Sequence, residues 1–195
     1  MGRYPDSRVM YLHGMEGSPK GTKGGWVQGH FACTCAPDLD AHGHKPHVFE
    51  EAVETARKAV EGFGPQLVIG SSFGGAVTLE LMHRGVWSGG GTSFILLAPA
   101  GVFYGENATI PPGHRAIIIH APSDKVVPYA HSLALMGTSI DPTGEASVEL
   151  WNAKTDYRRD PRDHDGNHRL HDVIDPGGLL GRACEVLLAE LGGSP

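Results

Sequence analysis

The sequence predicts an α/β fold, a three-layer α/β/α sandwich around a mostly parallel sheet of roughly six strands. Three observations lead there. Short β-type runs alternate with longer segments of helical character along the chain. Several of the β-type runs are apolar on both faces, as strands covered on both sides must be. No internal repeat, low-complexity tract or linker interrupts the alternation, so residues 1–195 are expected to form a single domain.

The expected strands are VMYLHG (9–14), FACTCAPDL (31–39), QLVIGS (66–71), SFILLAPA (93–100), RAIIIHAP (115–122) and ASVELWNA (146–153). In the second, Phe31, Cys33 and Cys35 would share one strand face, the cysteines as small buried hydrophobes. The clearest helix is PHVFEEAVETARKAVEGFG, where Phe49, Ala52, Val53, Ala56, Val60 and Phe63 recur at three- and four-residue steps. Glu54 and Lys58 form an i,i+4 pair on its outer face, and Gly62, Gly64 and Pro65 stop it. FGGAVTLELMHRG follows the third strand and YAHSLALMGTS the fifth. A last helix is expected from Asp175 as cap and Pro176 as first residue, with Leu180, Ala183, Leu187 and Leu191 facing the core. Functional sites of such sheets lie at the carboxyl ends of the strands.

Composition narrows the function classes. A chain of 195 residues with 40% hydrophobic and 19% charged residues can bury a sizeable core. A net charge of −6 without a run of lysine or arginine argues against nucleic acid and against an anionic membrane surface. No apolar run is long enough to span a bilayer, and MGRYPDSR lacks the apolar segment of a signal peptide. Met1-Gly2 begins like a myristoylation signal, but Asp6 stands where Ser or Thr is required. Three cysteines are too few for a disulfide framework, so a reducing cytoplasm is expected.

The stretch VIGSSFGGAV carries the chemistry. Of its two serines only Ser72 satisfies Gly-x-Ser-x-Gly, with Gly70 and Gly74; Ser71 would need a glycine where Ile69 stands. With 28 glycines in the chain the pattern alone is weak, but its setting adds to it: a buried strand before it and a helix after it. A serine on that turn adopts a strained backbone that projects its oxygen from the sheet, and flanking glycines relieve the crowding. The same turn leaves the Phe73 N–H at a helix N-terminus, where it can stabilise an oxyanion.

With YLHGMEGSP after the first strand, APDLDAHG after the second, GSSFGG after the third, PSDKVVP after the fifth and DGNHRL after the sixth, the chain resembles a small member of the α/β-hydrolase superfamily, of the lidless serine esterase type. The resemblance implies the α/β-hydrolase fold without a cap domain, with Ser72 as nucleophile, Asp124 as triad acid and His168 as general base. Their chain order, Ser then Asp then His, is that of this fold. Physical chemistry asks for the same three groups. A serine hydroxyl attacks only when an imidazole takes its proton, and the imidazole needs a carboxylate to fix its tautomer and stabilise its charged form.

Asp124 closes AIIIHAPSD, at the strand edge where Ser72 would lie, with Asp141 and Asp156 as rivals. Of the 12 histidines, those on regular elements such as His83 and His131 read as surface or packing residues, and His164, His168 and His171 follow the last strand. His168 best matches the family's Gly-x-His turn, with Gly166 before it and Leu170 after; His171 is the alternative. The five basic and five acidic side chains between Lys154 and Asp172 balance, which reads as a solvated, salt-bridged loop. The resemblance places a His-Gly-x element on His13 and Gly14, which makes the Met15 N–H the second oxyanion donor. GSPKGTKGG behind it reads as a flexible loop, or as a mobile rim that admits substrate.

Two rival classes stand beside this one. A metal site could draw on His42, His44 and His47 or on His164, His168 and His171, but both stretches contain glycine or proline and neither is helical in pattern. No metal and no cofactor are therefore expected. A catalytically silent scaffold binding a ligand or protein partner would have no reason to keep all three triad groups in order. The connection GVFYGENATIPPGH (101–114) is too short for a lid domain, which suits small or exposed acyl groups; Phe103, Tyr104, Ile110 and Trp26 could line the cleft. The expected partner is a small-molecule carboxylic ester, with thioester hydrolysis, amide hydrolysis and acyl transfer open to the same triad.

Overall fold

The computed structural model describes residues 6–40, 46–87, 90–104, 109–137, 148–155 and 164–192, with residues 46 and 47 described by backbone alone. The chain runs β1 (Arg8–Leu12), α1 (Thr22–His30), β2 (Cys33–Cys35), α2 (Pro46–Phe63), β3 (Leu67–Ser71), α3 (Phe73–His83), β4 (Ser93–Leu97), β5 (Arg115–His120), α4 (Tyr129–Gly137), β6 (Val148–Asn152) and α5 (Leu179–Glu190). Single 3₁₀ turns lie at Gly101–Phe103 and His171–Ile174. The six strands form one sheet in the order β2-β1-β3-β4-β5-β6, and every neighbouring pair is parallel.

Side chains alternate across a strand, so a sheet covered on both faces must be apolar at every position. Along β1, β3, β4 and β5, Met10, Leu12, Val68, Phe94, Leu96, Ala116 and Ile118 enter one core with α2 and α3. Val9, Tyr11, Leu67, Ile69, Ile95, Leu97, Ile117 and Ile119 enter the other, with Val27 of α1 and Leu180, Ala183 and Leu187 of α5. The apolar stripe of α2 is seated as its spacing predicts, with Ala52, Val53, Ala56 and Val60 buried. Glu54 lies 3.5 Å from Lys58 on the outer face.

Three local expectations are corrected. Phe31 is not a strand residue: it caps α1 and packs in the α1/α5 core, whereas Cys35 packs against the opposite one. β2 spans three residues at the sheet edge, which leaves Cys33 and Cys35 half-buried. The last helix begins at Leu179, not at Pro176, because Gly177 adopts φ 72°, which no right-handed helix contains. The glycine- and lysine-rich stretch after β1 ends in α1, which has glycine at positions 24 and 25. A Cβ at Gly24 would lie 2.1 Å from the Pro19 carbonyl oxygen, so close packing on the preceding turn, not helix propensity, selects that glycine.

The turn between β3 and α3 crosses the end of β1 and the loop after it at equally close range. A Cβ at Gly74 would lie 2.1 Å from the Leu12 carbonyl oxygen and 2.8 Å from that of His13. Both neighbours are backbone atoms, one at the end of β1 and one directly after it, and cannot yield. Gly74→Ala is expected to destabilise the fold by more than about 2 kcal/mol, measured as the loss of unfolding free energy in urea.

Candidate active site

Ser72 is the hinge between β3 and α3 and holds φ 51° and ψ −108°, a conformation that costs a non-glycine residue about 1–3 kcal/mol. Backbone hydrogen bonds fix it there: its N–H donates to Leu97 (2.8 Å), and its carbonyl accepts from Ala76 and Ala100 (both 3.1 Å). Glycine is required around it because Cβ atoms at positions 70 and 75 would collide with Thr78 Oγ1 (2.5 Å) and with Pro99 (2.9 Å). The adjacent Ser71 is buried, and its side chain hydrogen-bonds Tyr11. Burial pushes the Tyr11 hydroxyl above its usual range, and the Ser71 hydrogen bond opposes that rise.

Ser72 Oγ lies 3.0 Å from His168 Nε2, and His168 Nδ1 lies 2.7 Å from Asp124 Oδ2. A carboxylate can only accept, so Nδ1 carries the proton and Nε2 is left to accept the Ser72 hydroxyl. The structure thus brings Ser72, Asp124 and His168 into one hydrogen-bonded chain. His171 opens a 3₁₀ turn and lines the cleft, while it is the His168 ring that reaches the serine. Asp141 and Asp156, His42 and His44, the His47 side chain, and Arg158, Arg159, Asp160, Arg162 and Asp163 lie outside the described residues.

Asp124 ends the turn after β5. Its Oδ1 accepts the N–H groups of Val126 (2.7 Å) and Val127 (2.9 Å). Its Oδ2 accepts from a second histidine as well as from His168: His120 Nε2 is 2.9 Å away. Burial alone would raise the Asp124 carboxyl, but the hydrogen bonds from His120, His168 and Val127 and the His168 charge overcome it and hold it well below the usual carboxylate range. His120, the last residue of β5 and wholly buried, escaped the sequence reading because it sits on a strand among apolar residues.

Within the described part of the segment expected as a solvated loop, Arg169 is exposed, but the turn that carries His168 has a buried polar base. Gly166, Asn167 and Leu170 take φ values of 66°, 67° and 47°, and Asn167 and Asp172 are buried. Asn167 Nδ2 donates to the Lys154 carbonyl and to Asp172 Oδ1 (both 2.8 Å), and Asp172 Oδ2 accepts the Lys154 N–H (3.1 Å). Ser123 Oγ donates to the Gly166 carbonyl (2.9 Å) and the Lys125 N–H to that of Asp165 (2.9 Å), which ties the histidine segment to the aspartate turn. A Cβ at Gly166 would lie 1.8 Å from the Ser123 carbonyl oxygen, so only glycine permits that approach.

Ser72 opens into a cleft of about 1340 Å³ at the carboxyl edge of the sheet. One wall is aromatic: Phe49 stacks on Tyr104 at 5.3 Å, and Phe73 meets both edge-on at 5.9 and 5.1 Å. Exposed Phe103 and Val126 continue it. The other wall carries Glu16, Thr22, Lys23, Asp165, Arg169 and His171. Lys23 donates to the Arg169 carbonyl (2.5 Å), and burial, then the Arg169 charge, lower its ammonium to about 8. Ile110 is core, and Trp26 packs on His30 and Phe31, so neither lines the cleft.

Met15 and Phe73, the expected oxyanion donors, both line the cleft, Phe73 as the first residue of α3. Gly14 sits against the serine, where a Cβ would lie 3.6 Å from that of Ser72. Buried His13 holds this loop: its ring nitrogens bridge the Gly14 carbonyl (2.8 Å) and the Leu39 N–H (3.0 Å) beyond β2. Among the described residues no cluster of three or more His, Cys, Asp and Glu side chains could hold a metal, and no helix is long and apolar enough to cross a membrane.

Solved structures with the same architecture include alpha/beta hydrolase domain-containing protein 10 from mouse, 16% identical over 96% of this chain and 92% of that one, with a TM-score of 0.65. Est1E from Butyrivibrio proteoclasticus is 16% identical over 96% and 89%, with a TM-score of 0.61. An alpha-beta serine hydrolase homologue from Coxiella burnetii is 16% identical over 96% and 88%, with a TM-score of 0.56. The chain has the α/β-hydrolase fold. It belongs to the Uncharacterised protein family (UPF0227), whose model matches residues 8–108. No curated protein matches it significantly.

Two outcomes test this site without an assay of activity. Asp172→Ala removes the carboxylate that accepts from the Lys154 N–H and from the Asn167 amide, which keeps only its bond to the Lys154 carbonyl, and is expected to cost about 2–4 kcal/mol in urea unfolding. Asp124 has a lowered pKa in the folded state, so its stabilisation is fully present above the carboxyl range of the unfolded chain and is lost as pH falls toward the folded value. Wild type should lose more unfolding free energy than Asp124→Asn between about pH 6 and pH 3.

Proposed function

We propose that this chain is a serine hydrolase that cleaves carboxylic esters of small or exposed acyl groups, with Ser72 as nucleophile. The observation that carries the reading is the chain Ser72 Oγ, His168 Nε2, His168 Nδ1, Asp124 Oδ2, with links of 3.0 and 2.7 Å, on a strained serine that faces an open cleft. A positive φ on a non-glycine residue is a cost that packing alone gives no reason to keep, and here it aims the hydroxyl at the base.

The chemistry follows from the geometry. Ser72 Oγ attacks the acyl carbon while its proton passes to His168 Nε2, and Asp124 stabilises the imidazolium through Nδ1–H. The N–H groups of Met15 and Phe73 receive the carbonyl oxygen as it gains charge. The tetrahedral intermediate collapses, the C–O bond to the alcohol breaks, and His168 returns the proton to the leaving oxygen. Water, deprotonated by His168, then attacks the acyl-serine; the acyl–Oγ bond breaks, His168 returns the proton to Ser72 Oγ, and the acid is freed. None of these steps asks for a cofactor or metal. The aromatic wall of Phe49, Phe73 and Tyr104 suits the acyl group, and the shared fold of the serine hydrolase homologue from Coxiella burnetii agrees with the reading.

The decisive experiment compares wild type, Ser72→Ala and Ser71→Ala on p-nitrophenyl acetate and octanoate, with a fluorophosphonate label mapped by mass spectrometry. Ser72→Ala should lose at least about 10³-fold in kcat without unfolding, Ser71→Ala should keep substantial activity, and the label should sit on Ser72. Equal losses from the two variants, or a loss on EDTA treatment restored by zinc, would overturn the assignment. Folded protein that neither turns over nor takes the label would indicate a silent scaffold.

A further inference from the structure

Asp124 stands between two serine–histidine pairs. On one side are His168 and Ser72. On the other, His120 Nδ1 lies 2.7 Å from Ser132 Oγ on α4, and both residues are wholly buried. We propose that His120, oriented by Ser132, is a positioning residue that sets how strongly Asp124 holds the proton-bearing form of His168. The proposal rests on the serine-hydrolase reading above and deepens it.

The tautomer of His120 follows from its partners. Asp124 Oδ2 and the Val127 carbonyl, 2.9 and 3.2 Å from Nε2, are both acceptors, so Nε2 bears the proton. Nδ1 is then an acceptor, and Ser132 donates to it. The hydroxyl of Ser132 thus polarises His120 toward Asp124, as Asp124 polarises His168 toward Ser72. Ser132 itself is wholly buried and does not line the Ser72 cleft, so this second pair has no access to substrate there.

The two imidazole N–H groups share one oxygen, Oδ2. A hydrogen bond to a carboxylate withdraws charge from it and weakens its pull on any other cation. With His120 donating, Asp124 stabilises the imidazolium of His168 less, and the neutral, proton-accepting imidazole survives to lower pH. Asp124 does not need His120 for its orientation, because Val126 and Val127 hold Oδ1 at 2.7 and 2.9 Å. The role is therefore electrostatic and separable from folding of the turn.

Other charged or titratable groups around this pair are Tyr129, with its ring 5.5 Å from that of His120, Asp165, whose Oδ1 accepts the His168 N–H at 3.2 Å, and Glu16, Lys23, Arg169 and His171 across the cleft. They are unchanged in the variants below and cancel from the comparison.

The test compares wild type, His120→Phe, which removes the donor at similar volume, and His120→Gln, whose amide keeps a donor where Nε2 was. The acid limb of kcat/KM on p-nitrophenyl acetate should move up by about 0.5–1 pH unit in His120→Phe and return toward wild type in His120→Gln, with KM unchanged. Ser132→Ala should move it the same way by less, and serves where His120→Phe fails to fold. A limb that stays in place in whichever of these two variants folds would make His120 a packing residue and overturn the proposal. The deshielded proton between His168 Nδ1 and Asp124, read by NMR at neutral pH, needs no turnover: it should move downfield in His120→Phe and back in His120→Gln. If wild type hydrolyses nothing, the serine-hydrolase reading fails, and this resonance still decides the role of His120.

Discussion

The close crossing of the β3–α3 turn over the loop after β1 is the constraint on which the rest of the molecule depends. Gly74 lies where any side chain would meet the carbonyl oxygens of Leu12 and His13, and Gly70 and Gly75 clear Thr78 and Pro99. That approach does two things at once. It packs α3 onto the sheet, and it brings Gly14 against Ser72, so the serine and the loop that carries Met15 meet without a further element between them. The strained backbone at Ser72 is held by hydrogen bonds to Leu97, Ala76 and Ala100, which belong to β4, α3 and the segment after β4. Strain of this kind persists only where surrounding structure over-determines it.

The carboxylate and the imidazole are brought together by a different kind of constraint. Asp124 and His168 are 44 residues apart, and their segments are tied by Ser123 to Gly166 and by Lys125 to Asp165. Behind them, Asn167, Asp172 and the Lys154 backbone form a buried polar network with most of its donors satisfied, although Asn167 Oδ1 has no partner among the described residues. Such networks fix one arrangement strongly, because a half-satisfied alternative leaves a buried polar group unpaired. The His168 ring is therefore placed by polar contacts within a loop, whereas Ser72 is placed by strand and helix.

This difference explains what could be read from the sequence. The six strands, the α2 stripe and the Ser72 turn are legible because hydrophobic period and glycine spacing are local signals. α1 was not, since Gly24 and Gly25 lower its propensity, and the reason for Gly24 is close contact with the Pro19 carbonyl, which local sequence pattern does not show. The start of α5 was misplaced because Asp175 and Pro176 form a good local helix start that Gly177 then overrides. His120 carried no signal at all. A histidine at the end of an apolar strand looks like packing until Asp124 and Ser132 are seen beside it, and the buried Asn167–Asp172 pair was hidden among ten charges that looked solvated.

The sheet also decides how the cleft treats its two ends. α2 and the 3₁₀ turn after β4 bring Phe49, Tyr104 and Phe103 to one side of Ser72, above the core that α2 and α3 share. α1 and the His168 segment bring Lys23, Arg169, Asp165 and His171 to the other, above the core of α1 and α5. A molecule lying across Ser72 therefore meets an aromatic wall with one end and a charged wall with the other. Desolvating an apolar group against aromatic rings is favourable, whereas desolvating charged side chains costs free energy unless they are paired. That contrast favours one orientation across the serine, with the apolar part of a bound molecule toward Phe49 and Tyr104 and its polar part toward α1, where basic and acidic side chains face it together.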